Sequence, residues 1–252
     1  MAKLKDPQRF QNLNYEKFRG LAADSSLSFY EKIGFPDSYR KGKERKIFHD
    51  VIGKLQLEKR KNLTIADIGC GCSELPLLLM NFATRQQDKL FMIDSPEMLD
   101  QLPDKKGIKK LPGYFPFMKE FLSAYHQRVD AVIIYSVLHY VYKEMKLFTF
   151  LDAAVSLLRP QGRLLIGDIP NISKRRRFFS SEQGIRYHQK FTRTKTLPDL
   201  SFQSAEKNEI NDSVILSILR RYRSRGFDTY LLSQPEELSM SNRREDILIY
   251  RN

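Results

Sequence analysis

The sequence predicts an α/β fold in which a mostly parallel sheet is covered by helices on both faces. Short and almost wholly apolar runs recur along the chain, which is typical of strands that are buried on both sides. Helical patterns separate these runs, and this alternation indicates βαβ units. With 252 residues, the chain is long enough to bury a large core within one or two domains.

Seven apolar runs are predicted strands, and their order along the chain is 63–68, 89–93, 108–111, 129–135, 163–168, 227–232 and 246–250. The run 129–135 has the strongest strand pattern, because all but one of its residues are apolar or aromatic. Helices are predicted over 74–85, 143–158 and 211–225, and a further helix begins after Ser95 with Pro96 at its first position.

Residues 1–61 are predicted to form a helical cap that extends the binding site for a substrate. A helical pattern from Tyr39 onward places apolar side chains on one face and basic side chains around its start. Arg40 belongs to this basic group and is a candidate substrate-binding residue. The remaining residues, 62–252, form the predicted main domain.

Residues 170–210 interrupt the alternation of strands and helices and are predicted to form a basic lid insert. Between residues 171 and 195, eight Lys or Arg accompany a single acid, Glu182. So long a connection in a compact domain is usually a lid, a binding loop or a disordered segment. Cations interleaved with aromatic rings can bind phosphates or stack on bases, although a solvated helix face explains the same pattern. The candidate substrate-binding residues here are Arg175, Arg176, Tyr187 and His188.

The formal net charge of +13 suggests an anionic partner such as nucleic acid, a phosphorylated small molecule or a membrane surface. A solvated basic surface is the alternative explanation. No apolar run reaches the roughly 18 residues that a membrane span needs, and the first residues lack the apolar region of a secretory signal. We therefore expect a cytoplasmic protein, and the sequence is silent on its oligomeric state.

The first predicted strand leads into a glycine-containing turn, Asp67-Ile68-Gly69-Cys70-Gly71-Cys72-Ser73. Glycine lets a ligand approach the backbone closely, and the following helix N-terminus favours negative charge. Asp94 ends the second strand, 27 residues after Asp67, where a carboxylate can accept hydrogen bonds from two ribose hydroxyls. Asp94 could instead cap the next helix, but Ser95 already occupies the capping position. Together these features indicate an adenosine-containing cofactor.

The pattern Asp67-x-Gly69-x-Gly71, with Asp94 and the runs 129–140 and 158–166, resembles the class I S-adenosylmethionine-dependent methyltransferases. The resemblance is close over 62–169 and looser over 211–252. It implies a seven-stranded Rossmann-like methyltransferase sheet with one antiparallel edge strand, and S-adenosylmethionine as the cofactor. In that family the turn lines the methionine part of the cofactor, the acid corresponding to Asp67 contacts its ammonium, and the acid corresponding to Asp94 binds the ribose. The further predicted cofactor contacts are Cys70, Ser95, Met98, Gly113, Tyr114, Tyr135 and Ser136.

Two positions depart from the family pattern. Ser73 stands where a third glycine is common, which requires a negative φ at that residue. Tyr114 follows Gly113 where the family often has an acid that binds the adenine amino group. A tyrosine could stack on adenine, or a backbone group could bind it.

Methyl transfer from a sulfonium depends largely on positioning the acceptor, although an oxygen acceptor can need a base. His139 follows the fourth strand and is the candidate base, with shaping of the pocket as the alternative role. Asp168 ends the fifth strand and could orient a hydroxyl or act as a base, or serve only the local turn. No metal is predicted, because Cys70 and Cys72 have no nearby Cys or His pair to complete a site.

Three functions follow from these features. The leading one is methylation of a small anionic acceptor, at the oxygen of a sugar or nucleotide-linked glycan precursor. The second is RNA methylation at ribose or carbon, since Tyr135-Ser136-Val137-Leu138 replaces the Asn/Asp-Pro-Pro-Tyr/Phe motif of amino-group methyltransferases. The third is a non-catalytic platform that binds the cofactor, against which the intact Asp67, Gly69, Gly71 and Asp94 argue.

Overall fold

The computed structural model describes residues 13–200 and 209–252. Its strands are β1 (Thr64–Ile68), β2 (Lys89–Asp94), β3 (Ile108–Pro112), β4 (Val129–Tyr135), β5 (Leu158–Pro170), β6 (Phe227–Leu232) and β7 (Arg244–Arg251). They form one seven-stranded sheet in the order β3-β2-β1-β4-β5-β7-β6. Strand β7 runs antiparallel to both β5 and β6, whereas the other pairs are parallel. The predicted α/β class and sheet are therefore confirmed.

Helices cover both faces of the sheet, and their bounds are α1 (Tyr15–Ala23), α2 (Phe29–Lys32), α3 (Asp37–Arg40), α4 (Glu44–Leu55), α5 (Glu74–Gln86), α6 (Pro96–Leu99), α7 (Lys119–Ala124), α8 (Leu138–Glu144), α9 (Leu147–Ser156), α10 (Ile172–Phe179), α11 (Glu182–Thr192) and α12 (Asp212–Arg223). Short 3-10 helices lie at Leu57–Lys59 and Ser241–Arg243. Residues 1–12 of the predicted cap and 201–208 of the predicted insert lie outside the described residues.

The core forms two layers because successive residues of each strand face opposite sides of the sheet. In β4, Val132 and Ile134 join the layer that contains α9 and α12. The alternate residues Ala131 and Ile133 face the other side and join the layer that contains α4 and α5. Every residue of β4 is buried, which explains why its sequence is a continuous apolar run.

The prediction of a single helix over 143–158 is wrong. Two helices, α8 and α9, occupy 138–156, and the backbone between them is extended at Met145. Val141 in α8 and Phe150 in α9 belong to the same core layer. They are nine residues apart, which would place them on opposite sides of one continuous helix of about 3.6 residues per turn. Breaking the helix lets both side chains reach the core.

The predicted insert is helical through Thr192, where the sequence pattern indicated a lid, a loop or disorder. Helices α10 and α11 are joined by a tight turn, and a Cβ at Gly184, in the first turn of α11, would lie 1.9 Å from the carbonyl oxygen of Phe178 in α10. Glycine therefore permits the close approach. The rings of Phe178 and Phe179 pack against Tyr187, at centroid distances of 5.6 and 6.4 Å.

Candidate active site

The candidate site lies where the strand order reverses, between β1 and β4. β2 and β3 lie on one side of this point, and β5, β7 and β6 lie on the other. Open α/β sheets bind ligands at the carboxyl ends of the strands beside such a switch point. The turn after β1 and the turn after β4 both lie at this edge.

Gly69 and Gly71 shape the turn after β1. Both have a positive φ, 74° at Gly69 and 64° at Gly71, which side chains rarely tolerate. A Cβ at Gly69 would lie 2.5 Å from Val137 Cγ2, and one at Gly71 would lie 2.8 Å from Ile33 Cγ2. The turn therefore packs tightly between the loop after β4 and the N-terminal helices. Glycine is required at both positions because of the positive φ and because no room is left for a Cβ.

Asp94, at the end of β2, braces this turn from the neighbouring strand. Its Oδ2 accepts a hydrogen bond from the Gly71 N–H at 2.8 Å, and its Oδ1 accepts one from the Ser95 N–H at 2.7 Å. Each oxygen keeps a further lone pair for a ligand hydroxyl. Burial raises the pKa of Asp94 to about 6, although the two N–H donors oppose this shift. Ser95 also caps α6 by accepting from the Met98 N–H.

Asp67 is more deeply buried than Asp94. Burial, together with the nearby charge of Asp94, raises its pKa to about 8. Within residues 13–200 and 209–252, no hydrogen bond to its carboxylate is found. A cationic ligand group beside these two acids would therefore be strongly favoured.

A deep cavity opens over the turn, and helices α1 and α2 cover it. The cap contributes Tyr15, Phe18, Ile33 and Phe35 to its wall. Two further residues of the N-terminal segment, Arg40 and Glu44, also line it. The rest of the wall lies between residues 68 and 150: Ile68, Gly69, Cys70, Gly71, Ser73, Leu75, Ile93, Asp94, Met98, Gly113, Tyr114, Phe115, Tyr135, Ser136, Val137, Tyr140, Val141, Glu144, Met145 and Phe150. The cavity thus joins an apolar enclosure to a few fixed polar groups, as small-molecule sites usually do.

Beyond β3, Tyr114 lies at one end of this cavity. Its ring packs 4.5 Å from that of Tyr15, and its hydroxyl lies 3.4 Å from the Glu144 carboxylate. The Tyr15 N–H also donates to Glu144 at 3.4 Å. These contacts join α1, the loop after β3 and the end of α8, and they offer aromatic faces to a planar ligand group.

Helix α5, which follows the turn, is capped by a residue of another helix. Glu44 of α4 accepts a hydrogen bond from the Leu75 N–H at 2.9 Å and lies 3.4 Å from the Ser73 hydroxyl. Ser73 has a φ of −81°, so the missing third glycine causes no strain. Glu44 is fully buried, and burial raises its pKa despite the nearby Arg40.

Four residues meet near the carboxyl ends of β4 and β5 and form what we call the strand-end network: Ser136 after β4, Asp168 in β5, Arg40 at the end of α3 and Arg244 at the start of β7. The Asp168 carboxylate lies 2.8 Å from Arg244 and 3.5 Å from Arg40, and it accepts a hydrogen bond from Ser136. Burial alone would raise the pKa of Asp168, but the two guanidiniums lower it below its usual value. Ser136 and Asp168 both have a φ of 60°, a strained backbone conformation of the kind found at functional sites.

His139 faces away from the main cavity. It lines a second cavity, of about 420 Å³, together with residues of α10 and of the loop before β7. Burial and the nearby Arg244 lower the pKa of His139 to about 3, so the imidazole is neutral at physiological pH. Its Nδ1 is buried with no hydrogen-bond partner among the described residues.

The sequence matches no protein-family model and no curated protein. Solved structures do share the fold. The carbon methyltransferase CurJ aligns over 96% of this chain and 65% of its own, at 13% identity and a TM-score of 0.57. The plantazolicin methyltransferase BpumL, in complex with a monoazolic desmethylPZN analog and SAH, covers 94% of this chain and 98% of its own, at 12% identity and a TM-score of 0.55. The methyltransferase domain of bacterial CtHen1 covers 83% and 98%, at 15% identity and a TM-score of 0.52.

The chain has the class I methyltransferase fold. Within this methyltransferase fold, every predicted cofactor contact except Asp67 and Ser95 lines the main cavity, and Asp67 and Ser95 directly adjoin residues that do. The predicted substrate-binding residues do not lie together in one cavity. Arg40 lines the main cavity and Arg175 lines the second one, whereas Arg176, Tyr187 and His188 line neither.

Several residues of the site in this methyltransferase fold were not predicted from the sequence. Glu44 lies four residues after Arg40, and this spacing on adjoining helices was an available signal. Gly167 was another available signal, since a glycine inside a predicted strand often marks a close approach. In the structure, a Cβ there would lie 2.4 Å from the Tyr135 ring. The aromatic residues of the cap and Arg244 gave no local signal, since tertiary contacts alone bring them to the site.

The two cysteines are packing residues in their observed surroundings. Cys72 is buried beside Ala22 and Met98, and Cys70 lines the main cavity. Burial raises the pKa of both thiols, that of Cys72 to about 11. In the described part of the chain, no group of three His, Cys, Asp or Glu side chains is arranged to hold a metal ion. Likewise, none of the described helices is long and apolar enough to cross a membrane.

Proposed function

We propose that the protein is an S-adenosylmethionine-dependent methyltransferase. The observation that carries this proposal is the cavity over the Gly69–Gly71 turn, at the switch point of a methyltransferase fold, with Asp94 in its wall and the buried Asp67 next to the lining residue Ile68. When bound, S-adenosylmethionine would supply a methyl group activated by its sulfonium. The carboxylate of Asp94 would accept from the ribose hydroxyls, and Asp67 would lie near the ammonium. Tyr15 and Tyr114 would pack against the adenine.

The proposed acceptor is a small anionic molecule, methylated at oxygen, of the sugar or nucleotide-linked class. The support for an anionic acceptor is the guanidinium of Arg40. It lies 3.5 Å from Asp168 and 3.8 Å from Glu44, so an anionic acceptor would share this cation with the two acids. Arg40 lines the cavity itself and can place a negative group near the methyl position. Positioning of this kind supplies a large part of the rate in a displacement reaction.

A proton on the acceptor oxygen would need a base, and both candidates are weak bases. The low pKa of His139 makes its imidazole a weak base in the free protein. Asp168 also has a lowered pKa and is bound to Ser136 and two arginines. We therefore propose that these residues chiefly position the acceptor, with Ser136 as the group that can relay a proton to Asp168.

Calorimetry with S-adenosylhomocysteine tests the cofactor site. We expect Asp94→Ala to raise the dissociation constant at least tenfold, since two ribose hydrogen bonds to a buried carboxylate are lost. Asp100→Ala is the matched control, because Asp100 is exposed and removes the same charge. An equal effect of both substitutions, or no binding to the unmodified protein, would contradict the proposal.

RNA methylation is the second candidate, favoured by the net charge of +13. Electrostatic binding to a polyanion weakens steeply with salt, so the test is a titration of an RNA oligonucleotide at increasing ionic strength. If RNA binds at low salt with a steep dependence and becomes methylated, RNA is the acceptor. An absence of binding at low salt excludes it.

A further inference from the structure

The second cavity lies on the far side of the strand-end network from the main cavity. Its wall includes His139, whereas the next residue, Tyr140, lines the main cavity, and their ring centroids are 3.8 Å apart. A small cleft, of about 10 Å³, adjoins both spaces. This cleft shares Arg40 with the main cavity, and it shares Tyr39 and Met240 with the second. The second cavity is therefore adjacent to the place where an acceptor would meet the methyl group.

Its lining is strongly cationic. Lys143, Arg175, Arg243 and Arg244 contribute to the wall, and Glu209 is the single acid among the described lining residues. The charge of Arg244 is offset by Asp168 at 2.8 Å. Lys143 and Arg243 form no ion pair with any residue in 13–200 or 209–252. Among the described residues, the charges of Lys143 and Arg243 therefore have no paired acid.

The guanidinium of Arg243 is held in place although it is buried near two other arginines, which disfavour its charge. Its guanidinium lies 5.5 Å from the centroid of the Phe179 ring, and its backbone carbonyl accepts from the Asn171 N–H at 3.0 Å. Burial lowers the pKa of Arg243, and the neighbouring Arg175 and Arg244 lower it further. Its Nε is buried and lacks a hydrogen-bond partner in the described structure. A buried donor without a partner is costly, and an anion would satisfy it.

His139 adds a second polar atom without a partner to the same space, its Nδ1. A neutral imidazole can donate from this nitrogen in one tautomer, and it can become doubly protonated when an anion binds beside it. The volume of about 420 Å³ exceeds what a single phosphate needs and falls within the range of sites for small organic ligands.

We propose that the second cavity binds a phosphate group of the acceptor, through Arg243, Arg175, Lys143 and the Nδ1 of His139. The acceptor class is then a phosphate or diphosphate ester whose remaining part is directed toward the strand-end network. This inference rests on the proposed methyltransferase function for the role of the anion, but the anion site can be tested without the cofactor.

The test is isothermal titration calorimetry with inorganic pyrophosphate as the probe, on the full chain without cofactor. We expect saturable binding that weakens at least tenfold in Arg243→Gln and at least threefold in Lys143→Gln. Lys143 is exposed, so its variant remains informative even if the substitution of the buried Arg243 disturbs folding. Arg186→Gln is the matched control, because Arg186 is exposed on α11 and pairs only with Glu182 in the described structure.

The outcomes separate the two proposals. Equal weakening by Arg186→Gln and Lys143→Gln, or no binding of pyrophosphate to the unmodified protein at low ionic strength, overturns the phosphate site. S-adenosylhomocysteine should bind the Lys143→Gln variant within twofold of the unmodified protein, which shows that the cofactor site is intact. If pyrophosphate binds as expected but S-adenosylhomocysteine does not bind at all, the phosphate site stands and the methyltransferase proposal fails.

Discussion

At the scale of single residues, the site is dominated by carboxylates that are kept from water. Asp67 and Asp94 both have raised pKa values, about 8 and about 6, because burial disfavours their charged forms. Each raises the cost of ionising the other. A ligand carrying positive charge removes this cost, so the same two residues destabilise the empty protein and favour the occupied one.

We predict that Asp67→Asn stabilises the cofactor-free protein at pH 8. The folded-state pKa of Asp67 lies above its unfolded value, so the folded state binds more protons and loses stability as the pH rises from about 4 to 8. Asparagine cannot ionise and avoids this loss. The melting temperature should rise by at least about 2 °C at pH 8, and the gain should disappear near pH 4. A gain that does not depend on pH would contradict the assignment, and Asp100→Asn is the control.

A related prediction concerns cofactor binding. If a cationic group binds beside Asp67, it lowers the pKa of that residue, and binding near pH 7 releases a proton. Calorimetric enthalpies of S-adenosylmethionine binding, measured in buffers of different ionisation enthalpy, should therefore reveal proton release at pH 7. The affinity should increase as the pH rises from 6 toward 8. The Asp67→Asn variant should lose this dependence, and its persistence there would place the titrating group elsewhere.

At the scale of elements, α4 is bound to the sheet by a buried cation. Lys54 lies 2.6 Å from Asp50 on the same helix and 2.7 Å from Asp246 on β7. Asp246 is fully buried and also accepts from the Asp168 N–H at 2.8 Å. This chain of contacts connects α4 through β7 to the end of β5, and so supports the strand-end network.

We predict that Lys54→Met lowers the free energy of unfolding by about 3 kcal/mol, because two buried carboxylates lose their cation. Chemical denaturation at pH 7 measures this change. Lys46→Met is the matched control, since Lys46 lies on the exposed side of the same helix and should change stability by less than about 0.5 kcal/mol. A similar loss in both variants would show that the helix surface, and not the buried ion group, determines the effect.

The elements differ in how far local sequence predicts them. The strand Val129–Tyr135 was predicted with its observed bounds, because continuous burial imposes an apolar run. The break between α8 and α9 was missed, since neither Met145 nor Lys146 is a residue that usually ends a helix. The cap of α5 by Glu44 was also missed, because the two partners, Glu44 and Leu75, are distant in sequence and meet through packing alone.

At the scale of the whole molecule, the N-terminal helices act as a cover for the main cavity. Arg19 of α1 pairs with Glu97 of α6 at 2.7 Å, and Ile33 touches the Gly71 turn. The sequence indicated a helical cap but could not reveal which cavity it covers, because these contacts join Arg19 and Ile33 to residues 78 and 38 positions away. The second cavity was hidden for the same reason, since His139, Arg175 and Arg243 meet through the fold.

We predict that cofactor binding slows hydrogen exchange in α1. A ligand in the main cavity contacts Tyr15 and Phe18, so it should stabilise the closed arrangement of the cap. Exchange measured by mass spectrometry should show protection of 15–23 with S-adenosylhomocysteine, and little change in α12, none of whose residues lines the main cavity. Equal protection of both helices would indicate general stabilisation and not closure of the cap.

The strand order has a consequence for how the chain is made. Strand β7 lies between β5 and β6, yet it follows both in the sequence. The edge of β5 that will pair with β7, which includes the apolar Leu164 and Ile166, therefore has no partner strand while the ribosome synthesises α10, α11, α12 and β6. At a synthesis rate of roughly 5–20 residues per second, this edge is open for several seconds. An open apolar edge is prone to pair with other chains, so the newborn protein should depend on chaperones during this interval more than its finished form does.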